Sequence, residues 1–474
     1  MARMLFLQNH DYEFLGPMYI SAAVKQAGHD CRLSIGAKLK EFAPTIESYR
    51  PDLVAFSVMS GSHWWAMEMA QQVKKAYGIR SLFGGPHPTF YEKFAEEEAV
   101  DIAVRGQGEE AVVDILDRIA AGQDLDGIAN VCFKRNGQLI SHPLRNLRED
   151  LDTLPFADRN LYPTLGSRAD QSVRSVIASR GCPYSCSFCQ EDTLRRLYLG
   201  KGKPVRFRHI ESVVAECKEL RDKYGAKTIL FYDDTFGVNR KWLYEFLSVY
   251  KKEVGLPFIC EARADVVAAD PEYAPRLAAG GCCTACFGIE SGNEDIRNRV
   301  LNKRLSDEEI YLAAERLHAA GIKFRTFNMM GLPDETLDDC FLTLKMNIRV
   351  KADYPFCSVY NPYPGTVLAD YSRKKGYLDP NFDFMSLPRS RLVSSPLNMP
   401  DIRRMQNLQK FFQTGVFCPS TLPLIKWLIR LPPNPLFTLW FGFVFFLVYV
   451  RNENRSFWQT LRFALNNAKH ILKK

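Results

Sequence analysis

The sequence predicts an α/β protein: a doubly wound parallel sheet, then a partial (β/α)6 barrel, then a helical end. Three observations predict it. Short apolar runs alternate with helical stretches over residues 1–140, and do so again over 171–385, the pattern of parallel strands joined by helical crossovers. A chain of 474 residues has room for two or three domains, each with its own core. From 386 to 474 the strand pattern stops and apolar helical stretches replace it. Residues 141–170, which contain Pro155 and Pro163, read as a linker.

Composition narrows the class. The chain holds 13 cysteines, an odd and scattered set unlike a disulfide framework, so a reducing cytosol is the expected compartment. The opening Met1 to Leu7 is followed at once by polar Gln8 to Asp11, which does not read as a secretory leader. Net charge is +8, but Arg451, Arg455, Arg462, Lys469, Lys473 and Lys474 face one acid, Glu453, at the end of the chain. A nucleic-acid groove spread over the body is therefore not expected.

In the first region strands are expected at Met4–Leu7, Cys31–Ile35, Leu53–Ser57, Ser81–Phe83 and Ile102–Val104, with helices at Met18–Ala27 and Trp65–Tyr77. Ligands on such sheets bind beyond the carboxyl ends of the strands. Those ends carry Ser57 to Ser62, then Gly84, Gly85 and His87, then Gly106, Gly108 and Glu109. Glycines there admit a large ligand close to the backbone, or simply make a tight turn.

In the second region strands are expected at Ser175–Ala178, Thr228–Tyr232, Phe258–Glu261, Ala285–Ile289, Lys323–Met329 and Phe356–Tyr360. Directly beyond the first stand Cys182, Cys186 and Cys189, spaced Cys-x3-Cys-x2-Cys, with Phe188 before the last. Thiolates are soft ligands suited to iron–sulfur clusters. Three ligands on a four-iron cluster leave one iron open to a small molecule, the logic that separates catalytic from structural zinc sites.

This spacing resembles the motif of the radical S-adenosylmethionine (SAM) enzymes. The resemblance implies a four-iron four-sulfur cluster whose open iron chelates SAM and splits it to a 5′-deoxyadenosyl radical. It implies that Asp233 or Asp234 grips the SAM ammonium, a helix cap being the other reading of either. Arg263 would fork onto the SAM carboxylate, or make a surface ion pair. Glu290 and Ser291, in Gly288-Ile-Glu-Ser-Gly292, would bond the ribose or amino-acid portion. The turns near Gly331 and Pro362 are read as structural. Cys282, Cys283 and Cys286 straddle a strand whose side chains alternate, so they are read as buried thiols and not as a second cluster.

Together with the glycines upstream, the motif resembles the B12-dependent radical SAM enzymes, matching Gly84, Gly85, His87, Thr89, Gly106, Gly108 and Glu109 over most of residues 1–140. That implies cobalamin. The Asp-x-His-x-x-Gly loop of cobalamin carriers is absent from Gln8 to Gly16. Either the corrinoid binds without a histidine below the metal, or His10 is recruited, or the domain has lost it.

At the end of the chain Leu436 to Val450 is uncharged and very apolar. Prolines at 432, 433 and 435 leave 15 helical residues, short of the ~20 that span a bilayer. An interfacial helix and a buried core helix are both open. The segment 456–474 places apolar residues 457, 458, 461, 465, 468 and 472 on one helical face with a partly basic remainder, which suits an anionic membrane surface.

The expected function is B12-dependent radical methylation of an unactivated carbon in a hydrophobic small molecule. A flavodoxin- or ferredoxin-type electron donor is implied, and membrane contact is peripheral at most. The alternatives are an oxidative cyclase or rearrangement enzyme on a tetrapyrrole or lipid, and a non-catalytic corrinoid protein. A tRNA methylthiotransferase lacks support, because no extra N-terminal cluster cysteines or basic RNA-binding appendage are present.

Overall fold

The computed structural model describes residues 1–10, 13–162, 172–390, 392, 394–452 and 461. Seven strands form the first sheet: β1 (Arg3–Gln8), β2 (Asp30–Ile35), β3 (Leu53–Ser57), β4 (Arg80–Gly84), β5 (Ile102–Val104), β6 (Val131–Arg135) and β7 (Gln138–Ser141). Their order is β2-β1-β3-β4-β5-β6-β7. The first five are parallel, and the order reverses between β1 and β3, where ligands of doubly wound sheets bind. Apolar side chains pack both faces: Met4, Phe6 and Leu82 on one, Leu5, Phe56 and Phe83 on the other.

All five strands expected in this region are present, but the sheet does not end with them. β6 and β7 form an antiparallel hairpin on its edge. Its turn, Asn136-Gly137, has φ of 50° and 79°, the left-handed pair that a two-residue hairpin needs. The helix Leu39–Tyr49, with Pro44 inside it, also goes beyond the sequence reading.

The second sheet has six parallel strands: β8 (Val173–Val176), β11 (Thr228–Phe231), β12 (Phe258–Glu261), β13 (Cys282–Glu290), β14 (Lys323–Met330) and β15 (Tyr354–Val359). The order β15-β14-β13-β12-β11-β8 leaves the barrel open between its first and last strands. Between β8 and β11 a small antiparallel pair, β9 (Ser179–Arg180) and β10 (Arg206–Phe207), sets Arg180 beside Arg206. Beneath β11 and β12, Phe231, Phe236, Phe246, Tyr250 and Phe258 form an aromatic cluster at edge and stacked geometries. Truncating one such ring to alanine costs about 3–5 kcal/mol.

The helix after β11, Arg240–Glu253, is capped by Asn239, whose side chain accepts from the Trp242 amide. Neither Asp233 nor Asp234 caps it. Cys282 and Cys286 are buried and Cys283 is exposed. The Cys282 thiol meets Cys260 on β12 at 3.9 Å, as packed thiols do.

The helix Ile402–Phe417 lies against β15 and carries the last described helix, Pro435–Asn452, whose Phe445 also reaches Phe356 of β15. Proline at the first helical position needs no amide partner, so Pro435 begins this helix, and its 18 residues exceed the 15 expected. Among the described residues no helix is long and apolar enough to cross a membrane. The amphipathic segment expected over 456–474 lies, apart from residue 461, outside the described residues, as does the connector over 163–171.

Candidate active site

Two cavities meet between the sheets. The larger, of about 370 Å³, opens at the carboxyl ends of β1, β3, β4 and β5. Its sheet side is Phe6, Phe56, Ser57, Leu82, Gly84, Gly85, Gly106, Gly108 and Glu109; its barrel side includes Ile177, Arg180, Cys182, Glu191, Leu194, Tyr198, Arg206 and Asp234. The smaller, of about 190 Å³, lies at the barrel mouth and is lined by Cys182, Cys186, Phe188 and Cys189 with Glu261, Arg263, Glu290 and Lys303. Cys182, Glu191 and Asp234 line both.

The glycines have distinct reasons. No atom lies within 4 Å of where a Cβ would stand on Gly84, so the large cavity reaches the backbone there. Gly85 has φ +98° and a Cβ would meet the Val58 carbonyl at 2.8 Å. Gly106 has φ +73°, and a Cβ would stand 1.9 Å from the Tyr198 hydroxyl. Both are turns that only glycine makes without strain. Glu109 reaches across to Arg180 at 2.7 Å.

His87 does not do what the motif led us to expect. Its ring is fully buried and stacks on His63 at 4.2 Å, away from the cavity lining. Nδ1 meets Ser60 Oγ at 2.9 Å, and His63 Nε2 donates to the Met385 carbonyl at 3.1 Å. Burial drives the His87 pKa down to about 3, so both rings serve as a neutral brace. His10 borders a separate cavity of about 30 Å³ and packs edge-on to Phe14. It is not in the wall of the larger one.

The three cysteines come together on one wall. Gly181, before Cys182, has φ +90°, and a Cβ would meet the Pro204 carbonyl at 2.1 Å. Burial pushes the Cys189 thiol up to about 12, so a metal must displace its proton for it to bind as thiolate. Among the described residues no group of three or more His, Cys, Asp or Glu is gathered tightly enough for a single metal ion. A polynuclear cluster spreads its thiolates over separate irons, so it does not need the close gathering that one ion does. The chemistry of the donors, all soft sulfur, points the same way.

The paired acids divide. Asp233 is buried and accepts from the Ala178 and Ser179 amides and from Ser179 Oγ at 2.5 Å; it lines neither cavity and anchors the strand before the cysteines. Asp234 accepts from the Gly181 amide at 2.9 Å and faces both cavities. Burial pushes Glu191 up to about 8, with the Asp234 carboxylate adding to it.

Arg263 is also differently employed. It forks onto Asp265 at 2.9 and 3.2 Å, donates to the Lys303 carbonyl at 3.0 Å, and lies over the Tyr184 ring at 3.5 Å. Nε and Nη2 are thus engaged, while Nη1 stands 3.8 Å from Cys186 Sγ. The cation the sequence reading missed is Lys303, 2.9 Å from Glu290 in the buried wall and 5.7 Å from the Phe188 ring. Ser291 is fully buried behind that wall, where its oxygen accepts from the Asn293 amide and its carbonyl from Arg297. It does not line the cavity. Lys303 sits in an irregular loop 13 residues from its partner, which no periodicity marks. Glu261, pushed up to about 7 by burial, Thr235 and Glu191 complete the missed set.

Known proteins carry the same combination. Residues 176–346 match the radical SAM superfamily and residues 9–116 the B12 binding domain. The chain is 30% identical over 366 residues to an uncharacterized methyltransferase of Pyrococcus horikoshii, covering 76% of this chain and 78% of that protein. It is 23% identical over 426 residues to the anaerobic magnesium-protoporphyrin IX monomethyl ester cyclase of Rubrivivax gelatinosus, covering 84% and 73%. The fold is shared with the radical SAM methyltransferase TsrM of Kitasatospora setae, solved with cobalamin and a 4Fe-4S cluster, at TM-score 0.64 and 17% identity, over 79% of this chain and 78% of that one. It is shared too with the cobalamin-dependent radical SAM enzyme OxsB, solved with aqua-cobalamin and SAM, at TM-score 0.67 and 15% identity, over 99% and 75%. The chain belongs to the radical SAM enzymes that carry a B12-binding domain, and its cofactors are a four-iron cluster, SAM and cobalamin.

Proposed function

We propose that this enzyme is a C-methyltransferase acting on an unactivated carbon of a hydrophobic small molecule. One observation carries the reading: the glycine-edged cavity of the first sheet and the cysteine-lined cavity of the barrel share Cys182, Glu191 and Asp234 as a common wall. Groups held in the two cavities would face one another across a short distance, which is what a hydrogen-abstraction and methyl-transfer pair requires.

In this reading Cys182, Cys186 and Cys189 hold the cluster, Phe188, Glu290 and Lys303 border SAM, and Ser57, Gly84, Gly85, Gly106, Gly108 and Glu109 border the corrin. When bound, the cluster supplies an electron, SAM the 5′-deoxyadenosyl radical and cobalamin the methyl group. The chain's own residues enclose them. Phe6, Phe56, Leu82, Phe90, Val104 and Leu194 give the larger cavity an apolar wall, which excludes water from a reactive carbon. An apolar substrate, of lipid, isoprenoid or porphyrin type, would share that wall with the corrin. Residues 1–140 and 171–385 act as the corrinoid and radical halves, with a cytosolic location and a flavodoxin- or ferredoxin-type donor.

The relatives support methyl transfer and also name a cyclase, so the test must separate them. Anaerobically reconstituted protein, reduced in the presence of methyl-labelled SAM and apolar extracts, should form 5′-deoxyadenosine and transfer label to an apolar product. A new product without label would favour the cyclase outcome. Absence of 5′-deoxyadenosine would end both.

A further inference from the structure

Exposed apolar surface is concentrated in one part of the molecule. Among the described residues, 9 of the 17 large apolar side chains that stand exposed lie between Phe417 and Leu447. Leu436, Leu439, Trp440, Phe443 and Leu447 recur on the helix Pro435–Asn452 at the spacing of one face. The opposite face packs inward. Phe437 meets Phe411 at 4.8 Å, Phe445 meets Phe356 of β15 at 6.1 Å, and Phe441 is buried. The preceding helix, Leu422–Leu428, adds Leu424 and Trp427, each more than half exposed. Asn407 fixes the turn between the two helices by donating to the Ile429 and Leu431 carbonyls at 3.2 and 2.7 Å. Exposed apolar side chains gathered on two successive helices mark an interaction site.

Charge identifies the occupant. Between Ile402 and Asn452 there is no Asp or Glu, and from Asp401 to the last residue 11 Lys and Arg face two acids, Glu453 and Asp401, the latter paired with Arg404 at 3.0 Å. The net +8 of the chain therefore arises in this segment. Lys426 and Arg430 stand exposed beside the apolar row. A second copy of the chain is a poor occupant, since a twofold interface would set these cations against themselves. An anionic lipid surface meets both features, because apolar and Trp side chains enter the acyl boundary while cations meet headgroups. With no described helix able to cross a bilayer, the contact is one of lying on the surface.

We propose that the face formed by Leu424, Trp427, Leu436, Leu439, Trp440 and Phe443 seats the enzyme on an anionic membrane, with Lys426 and Arg430 on the headgroups. The assignment is independent of the reaction catalysed. The helix bearing this face packs on the barrel's edge strand, so the barrel is held at the lipid boundary.

The test is sedimentation of the full chain with vesicles of phosphatidylcholine alone or mixed with phosphatidylglycerol. Binding is expected to the mixed vesicles, far weaker to the neutral ones, and reduced by salt. The double variant K426E/R430E should lower it by about fivefold per cation. The double variant L436S/F443S should lose it, with iron content and 5′-deoxyadenosine formation kept. Absence of pelleting, equal pelleting without phosphatidylglycerol, or unchanged binding by both variants would overturn the assignment. So would a dimer in light scattering that the same variants dissolve while wild type ignores vesicles.

Discussion

Glu109, opening the helix after β5, and Arg180, two residues before Cys182, form an ion pair at 2.7 Å that joins the first sheet to the cysteine loop. Arg180 also lies over the Tyr19 ring at 5.2 Å. Burial by itself raises the Glu109 pKa, but the Arg180 guanidinium outweighs it and holds the carboxyl below its usual range. The pair's stabilisation is therefore complete above the ordinary carboxylate range and is lost as pH falls through the lowered value. Glu109→Ala should cost about 2 kcal/mol in denaturant unfolding at neutral pH. Because the pair joins the sheet wall of the larger cavity to its barrel wall, its loss should also slow product methylation more than SAM cleavage. Equal losses in both would mean that the pair stabilises the fold without setting the distance between the halves.

The stacked His63 and His87 rings predict an acid sensitivity of their own. The pKa of His87 falls from 6.5 to about 3 on burial, so the unfolded chain binds more protons between these values. Stability then rises with pH through that window and is flat above it, at most about 1.4 kcal/mol per pH unit. Denaturation midpoints at pH 7 and 5 should differ more for wild type than for His87→Phe. A parallel pH response of the two proteins would show that His87 is not the titrating group.

Gly106 offers a test of the glycine-edged cavity. With φ +73° and the Tyr198 hydroxyl 1.9 Å from a Cβ, Gly106→Ala combines backbone strain of about 1–3 kcal/mol with displacement of Tyr198. The Tyr198 hydroxyl accepts from the Gln107 amide at 3.1 Å, a bond across the two halves that would be lost. Corrinoid absorbance retained after gel filtration should drop, with iron content unchanged. Gly122→Ala, also at positive φ but with no atom near its Cβ, separates strain from contact and should retain corrinoid.

These results bear on what could be read from the sequence. The barrel strands were legible because buried parallel strands are short apolar runs with polar ends, and five of the six cores agree to within two residues at either end. β13 ran longer because Cys282 and Thr284 pack inward as small buried groups on either side of the exposed Cys283, a start that no long apolar run marks. The hairpin β6–β7 was signalled by Asn136-Gly137, a turn the strand count passed over. Site residues at strand ends were legible as positions but not as orientations. Asp233 and Asp234 are neighbours, and only the fold shows that one points to the Ser179 amide and the other to the cavities. Lys303 was illegible for a different reason. Its partner, Glu290, is held by a loop that Arg297 organises through bonds to the Leu305 and Ser291 carbonyls at 2.7 and 3.0 Å, and no local pattern encodes such a return.

The Glu290–Lys303 pair gives the sharpest test of the barrel cavity. Glu290 adopts φ +67° without being glycine, a conformation that costs about 1 kcal/mol or more and persists only where surroundings enforce it. A Cβ on Gly288 would stand 1.8 Å from the Glu290 carboxylate and 2.7 Å from Lys303 Nζ, so the glycine makes room for the pair. Lys303→Met strands a buried carboxylate and should cost about 3–5 kcal/mol. Glu290→Gln strands the ammonium and should cost a similar amount. In the double variant neither charge remains, so much of the stability should return. If the pair only braces the wall, SAM cleavage should return with it. If its charges hold SAM, the refolded double variant should keep its iron but form little 5′-deoxyadenosine at SAM levels that saturate wild type. We expect the second outcome, because the pair faces the same cavity as Cys182, Cys186 and Cys189, and a structural brace has no need to stand there.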